Sequence, residues 1–283
     1  MIIDFHTHIF PPEVRDKREE YLRRDPTFGE IYASPKAKIA TAEELRRSMD
    51  EAGIDVSVAL GFAWREHELC VQHNDYLLEA AVKSDGRIVP FCTINPQVGE
   101  DAAKEVARCV QGGAKGFGEL RPDSQGWELN GEPGEQLAAL AEESSLILSF
   151  HVTELGGHEY PGKDGLQLGA FYRFAMEHPA LRLVGAHLAG GLPFSTSAAN
   201  LSKVFSHTYV DTAARRYLYD DNAYARLIGL IGAARTLLAS DYPLVAQISQ
   251  VDEIRRLVPD AESRALMLGG NAQRLLELGD GGR

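Results

Sequence analysis

A chain of 283 residues, 44% hydrophobic and 25% charged, has the composition of a globular protein long enough to bury a large core. Its 41 acidic residues against 29 basic ones give a net charge of −12, which argues against a general polyanion-binding surface and removes nucleic acid as a default partner. Cys70, Cys92 and Cys109 have no CxxC spacing, so a disulfide framework and a thiolate zinc site are not expected. With no apolar run of membrane-spanning length and no leader-like N-terminus, the expectation is a cytoplasmic protein without a membrane partner.

The first predicted element is a strand, because Ile2, Ile3 and Phe5 are apolar and β-prone and Pro11-Pro12 ends the run. It contains DFHTH at positions 4–8. Residues i, i+2 and i+4 of a strand share a face, so Asp4, His6 and His8 are expected to project together. Two imidazoles aimed at one point are a natural pair of metal ligands, and a neighbouring carboxylate can orient a ring; the competing reading is a polar strand end. Residues 9–40 then form a long excursion that includes the charged run EVRDKREEYLRRD, read as a solvated helix face. The excursion leaves the strand at the end where it can cap a site.

A helix is expected at about 41–53, and further strands at 56–62, 88–94, 114–120, 146–153, 181–187, 208–213 and 235–240. Helical spacing separates them, as in Leu69, His73, Leu77 and Ala81, or Ile248, Val251, Ile254 and Val258. Eight βα units in a chain of this length predict an α/β fold, a closed (β/α)₈ TIM barrel forming a single domain over residues 1–283.

Such barrels keep their chemistry at the C-terminal ends of the strands. Strand 1 delivers His6 and His8 there, strand 4 Glu119, strand 5 His151, strand 6 His187 and strand 8 Asp241. A lone histidine at a strand end is usually structural, but four in register with two acids suit Zn²⁺ or a first-row neighbour. Lys115, Phe117 and Glu119 alternate onto one face, with Glu119 nearest the rim and Gly116 and Gly118 leaving room beside it; pairing of Glu119 with Arg121 is the alternative. Candidate substrate contacts are Trp64 and Arg65 after strand 2, Arg121 after strand 4 and His158 after strand 5, since an arginine at the rim can clamp a carboxylate. His73, His178 and His207 fall in or beside helices and receive no role.

These motifs, DxHxH, GFGEL, FHVTE, GAHLAGG and SDYP, together with the closing LGGNAQRLL, resemble the amidohydrolase superfamily. The specific resemblance is to the amidohydrolase-related branch that includes aminocarboxymuconate-semialdehyde decarboxylase. It implies a barrel of metal-dependent hydrolase type with a catalytic divalent metal on His6, His8, His151 and Asp241. His187 is implied as a ligand of a second ion or as a free acid/base group, and Glu119 as a bridging carboxylate. One or two ions per chain are expected, with zinc the expected metal. Asp241 would orient metal-activated water and carry its proton.

The main reading is therefore a metal-dependent hydrolase acting on a small carbonyl substrate: an amide, lactone or ester. The alternative is a metal-dependent non-oxidative decarboxylase of a small unsaturated or aromatic carboxylic acid. A catalytically silent binding barrel ranks third, because no ligand position is lost. A homo-oligomer is left open.

Overall fold

The structure, a computed structural model, describes residues 1–154, 156, 159–163, 165–195 and 197–279. Eight parallel strands run in sequence order around one sheet: β1 (Ile3–His8), β2 (Val56–Leu60), β3 (Ile88–Cys92), β4 (Gly116–Leu120), β5 (Ile147–Phe150), β6 (Arg182–Gly185), β7 (Thr208–Asp211) and β8 (Thr236–Leu237). Closure comes from the segment after β8. Phe5 N donates to Leu238 O (2.8 Å), Asp241 N to His6 O (2.9 Å) and His8 N to Tyr242 O (2.7 Å). All eight predicted strands are present. Among the described residues no helix is long and apolar enough to cross a membrane.

The barrel interior is filled by one buried cluster drawn from β1, β2, β3, β5, β6 and β8, including Ile3, Phe5, Val58, Phe91, Ile147, Val184 and Leu237, and closed by Ala272, Leu275 and Leu276 of the C-terminal helix. Burial of side chains of this size contributes roughly 1.5–3 kcal/mol each. That rigid floor lets the opposite rim carry groups that are costly to bury.

Two strands depart from simple alternation, and both departures matter. Between β1 and β2 the register passes from Asp4↔Ser57 to Thr7↔Ala59, three residues against two, which is a β-bulge. Asp4 therefore does not share a face with the two histidines, contrary to the sequence expectation. Its carboxylate instead accepts from Ser240 Oγ (2.5 Å), Ser240 N (3.0 Å) and Gln247 Nε2 (2.8 Å). Burial pushes its pKa up to about 6 against those hydrogen bonds, and its role is to tie β1 to the chain after β8. Between β4 and β5 the register likewise passes from Phe117↔Leu148 to Leu120↔Phe150. Phe117 packs into the helix-side core with Leu137 and Leu148, Lys115 is exposed, and Glu119 alone of the three reaches the rim.

The 9–40 excursion folds as α1 (Pro12–Asp16), α2 (Arg18–Arg24) and α3 (Pro26–Tyr32) ahead of α4 (Ala42–Ala52). Thr41 and Glu44 form a capping box that starts α4. The excursion also has more apolar anchoring than its charge suggests. Phe10, Val14, Tyr21, Phe28, Tyr32 and Ile39 are buried against Phe62 and Trp64. His73 pins this cluster to the barrel: its Nδ1 accepts from Trp64 Nε1 (3.0 Å) and Phe62 N (3.3 Å), and its Nε2 donates to Ile9 O (2.7 Å).

Burial, opposed by the Ile9 bond, pushes the His73 pKa down to about 4 from 6.5. The unfolded chain thus binds more protons than the folded one between those values, so stability is expected to fall as pH drops through that window, by roughly 3 kcal/mol across it. Denaturant titrations at pH 7 and pH 5 check this: His73→Gln should be less stable at pH 7 and lose less on acidification. An unchanged pH slope in the variant would remove His73 as its source.

Candidate metal centre

His6 and His8 leave the bulged end of β1 with their rings 4.9 Å apart. Each ring is fixed by what its Nδ1 meets. His6 Nδ1 lies 2.7 Å from Asp211 Oδ2, His8 Nδ1 3.3 Å from Leu60 O, and His187 Nδ1 3.2 Å from Ala213 O. A carboxylate or carbonyl oxygen only accepts, so each Nδ1 carries the proton and each Nε2 presents a lone pair. Those lone pairs converge.

His6 Nε2 and His8 Nε2 are 3.0 Å apart, and both lie 3.7 Å from Glu119 Oε2. Asp241 Oδ1 is 3.6 Å from His6 Nε2 and 3.4 Å from His8 Nε2. On the other side, Glu119 Oε1 is 3.1 Å from His151 Nδ1 and 3.2 Å from His187 Nε2. His151 Nε2 is buried without a hydrogen-bond partner. Two donor groups result, His6–His8–Glu119 and Glu119–His151–His187, sharing one carboxylate.

Lone pairs facing one another at these distances repel unless a positive charge lies between them. Protons supply that charge in the ion-free protein. Burial works against the His6 imidazolium, yet Asp211 and Glu119 outweigh it and carry the ring up to about 10; burial also opposes the His187 imidazolium, and Glu119 carries it up to about 9. Burial, with Arg121 nearby, pushes His151 down to about 4, and burial and His6 lower His8. Glu119 is held well below its usual range, burial being overcome by His6 and His151. The nitrogen and oxygen donor set fits a divalent cation, which would take the place of those protons with the rings neutral.

The backbone around these side chains is strained. From His187 through Leu188, Ala189 and Gly190 to Gly191 five successive residues have positive φ (58°, 57°, 51°, 59°, 82°). A left-handed turn costs about 1–2 kcal/mol per non-glycine residue. Asp211 offsets this, its Oδ1 accepting from His187 N (2.9 Å) and Ala213 N (3.1 Å). Glycine is required at 190, where a Cβ would stand 2.6 Å from Thr153 O. Asp241 is also left-handed, with φ 59°.

The centre forms the floor of a cavity of about 530 Å³, a size suited to a small molecule. His8, Glu119, His151, His187 and Asp241 line it, while His6 is fully buried beneath. The sequence-predicted ligands are thus brought together. The predicted substrate contacts divide. Arg121 lines the cavity, buried, with Nη2 donating to Gly162 O (2.7 Å), and Glu119 pairs with the histidines instead of with it. Trp64 does not line the cavity. It is buried in the aromatic cluster, 5.1 Å from Phe28, where its indole completes the packing of the excursion. Arg65 also turns away, donating to Ser124 O. His158 lies outside the described residues.

Sequence reasoning missed Asp211, although it ends β7 at the same rim as the other candidate residues. It missed Tyr32 and Phe62 of the cavity wall as well.

A family model described as amidohydrolase matches residues 3–278. The chain belongs to the amidohydrolase family. A curated relative, the gamma-resorcylate decarboxylase of Polaromonas sp. strain JS666, is 24% identical over 281 residues, covering 82% of this chain and 86% of the relative. Among solved structures, 5-carboxyvanillate decarboxylase from Sphingomonas paucimobilis superposes with a TM-score of 0.79 at 18% identity, covering 98% of both chains. The dihydroxybenzoic acid decarboxylase from Polaromonas sp. JS666, solved with manganese and 2-nitroresorcinol, superposes with a TM-score of 0.73 at 18% identity, covering 99% of this chain and 98% of that one.

These relatives overturn hydrolysis as the main reading of this amidohydrolase-family chain, because they are decarboxylases. The reason is chemical: the motifs name metal ligands and a proton-carrying acid, and both hydrolysis and C–C cleavage use that set. Zinc was likewise an inference from ligand type, and manganese occupies the Polaromonas structure.

Proposed function

We propose that this protein is a metal-dependent non-oxidative decarboxylase of a small aromatic or unsaturated carboxylic acid, with manganese as the working ion. The observation that carries the reading is the joining of two features in one cavity: a convergent imidazole and carboxylate floor, and the buried Arg121 guanidinium in the wall above it. When bound, the divalent ion supplies Lewis-acid anchoring for substrate oxygens.

The chain's own groups do the rest. Arg121 holds the substrate carboxylate, its geometry braced by Gly162, whose amide donates to Glu30 Oε1 (2.7 Å). Tyr32 and Phe62 give the ring an apolar wall and exclude water from it. Asp241 stands beside the His6 and His8 rings at the floor, where it delivers a proton to the ring carbon. The C–C bond breaks, its electron pair stays on that carbon and takes the proton, and the carboxyl group leaves as CO₂.

His6, His8, His151 and Asp241 would hold the metal, and Glu119, with an oxygen toward each histidine pair, would give the cluster capacity for up to two ions. The excursion α1–α3, with Ile31 and Tyr32 in the cavity wall, serves as the cap of the site.

The test is a panel of hydroxylated benzoates assayed with protein stripped by chelator and reloaded with manganese or zinc, with elemental analysis of each form. Metal-dependent loss of substrate with formation of the decarboxylated arene supports the reading. Turnover that survives chelation with no bound metal contradicts it.

A further inference from the structure

A helix needs only an apolar stripe to pack on a barrel, yet α5 (Gln247–Leu257) also turns polar side chains inward. Gln247, Gln250 and Glu253 fall three residues apart on one face and are 0%, 1% and 6% exposed, while Val251 and Ile254 pack into the apolar core alongside. Each of the three reaches a different part of the chain. Gln247 Nε2 donates to Asp4 Oδ2 (2.8 Å) in β1 and to Ser57 Oγ (3.0 Å) in β2. Gln250 Nε2 donates to Tyr224 OH (3.1 Å) and to Thr212 at O (3.2 Å) and Oγ1 (3.1 Å). Glu253 Oε1 accepts from Arg215 Nε (3.0 Å) and Tyr224 OH (2.9 Å).

These contacts meet at the turn that follows Asp211. Thr212 Oγ1 donates to Ala239 O (3.1 Å) and accepts from Ala239 N (2.9 Å), so the end of β7 is fastened to the chain two residues before Asp241. Next comes Ala213, whose carbonyl meets His187 Nδ1, and then Ala214 in a left-handed conformation with φ 54°. The turn closes where Arg215 N donates to Thr212 O (3.2 Å). The buried Arg215 guanidinium anchors that far end: beyond Glu253 it reaches Asp221 Oδ1 (3.0 Å) and Tyr219 O (3.2 Å), and it lies 5.1 Å over the Tyr224 ring. Gln250, Glu253 and Arg215 all stand outside the cavity lining.

Stability alone does not call for such a network, because apolar residues of similar volume often serve as well as a buried ion pair or better. Its placement does distinguish it. A second buried network, Asn74 with Glu105 and Arg108, braces Thr93 after β3, a strand that brings no imidazole or carboxylate to the centre. The α5 network instead braces the turn on which Asp211 and Ala213 orient the His6 and His187 rings. We propose that Gln250 and the Arg215–Glu253 pair are positioning residues of the metal centre, acting through the 211–215 turn on the direction of those two rings. This rests on the metal centre of the decarboxylase reading and adds to it the groups that hold its geometry from outside the cavity.

Two measurements on each variant test it: manganese affinity, by competition with a fluorescent chelator, and Tm of the metal-free protein. Gln250→Met and the Arg215→Met/Glu253→Met double variant keep apolar volume in place of the polar groups. Both should hold Tm within about 4 °C of wild type while manganese affinity falls about ten-fold. Glu105→Gln, in the network after β3, should lower Tm and leave manganese affinity within about two-fold. Wild-type affinity in Gln250→Met, or an equal loss of affinity in Glu105→Gln, overturns the proposal, and so does a loss of affinity that follows Tm across all three variants. Neither measurement uses a substrate, so a protein that shows the expected pattern and decarboxylates no benzoate contradicts the decarboxylase reading alone.

Discussion

Asp241→Asn is expected to lower kcat by about 10³-fold while leaving the fold and metal content unchanged. Asparagine preserves shape and one oxygen toward His6 and His8, which lie 3.6 and 3.4 Å from Asp241 Oδ1, and it tolerates the left-handed backbone at this position (φ 59°). What it loses is the capacity to carry a proton. Single-turnover assays at matched metal loading check the effect. Activity within a few-fold of wild type would remove Asp241 as the proton donor and leave its ligand role standing.

Asp211→Ala should have the second largest effect, and on a different quantity. The Asp211 carboxylate holds His6 Nδ1 at 2.7 Å, and its other oxygen accepts from His187 N and Ala213 N. Removing it frees the His6 ring to rotate or change tautomer and releases the amide that begins the left-handed turn. Metal affinity is expected to fall by about 10–100-fold. Removing one partner from a buried charged network also costs about 3–5 kcal/mol of stability. Competition with a fluorescent chelator reads the first effect, and thermal melts of metal-free protein read the second. An alanine variant that bound metal like the wild type would show that His6 is oriented by packing alone.

The barrel was legible because each strand is a short apolar run between helical spacings, and the ligands because each sits at the end of one of those runs. Asp4 and Phe117 were placed on the wrong faces, since a bulge adds one residue and inverts the alternation beyond it. Nothing in DFHTH or KGFGEL announces that extra residue; it is set by pairing with β2 and β5. Trp64 follows β2 as a site residue would, but its burial depends on α1–α3 folding back over it, a long-range contact with no local signature. Reading EVRDKREEYLRRD by its charges hid both Tyr21, which is core, and Arg18, which braces the mouth. Reaction type was the least legible feature, because a ligand set shows that a divalent ion can be held and not which bond it helps to break.

The most direct test of the central claim follows the carboxyl carbon. A hydroxybenzoate that the manganese-loaded protein consumes, labelled with ¹³C at the carboxyl group, is incubated in D₂O and followed by NMR. The decarboxylase account predicts release of the label as CO₂ and bicarbonate, one deuterium on the ring carbon that bore the carboxyl group, and neither event in chelated protein. Metal-dependent consumption with the label still attached to the organic product would contradict it.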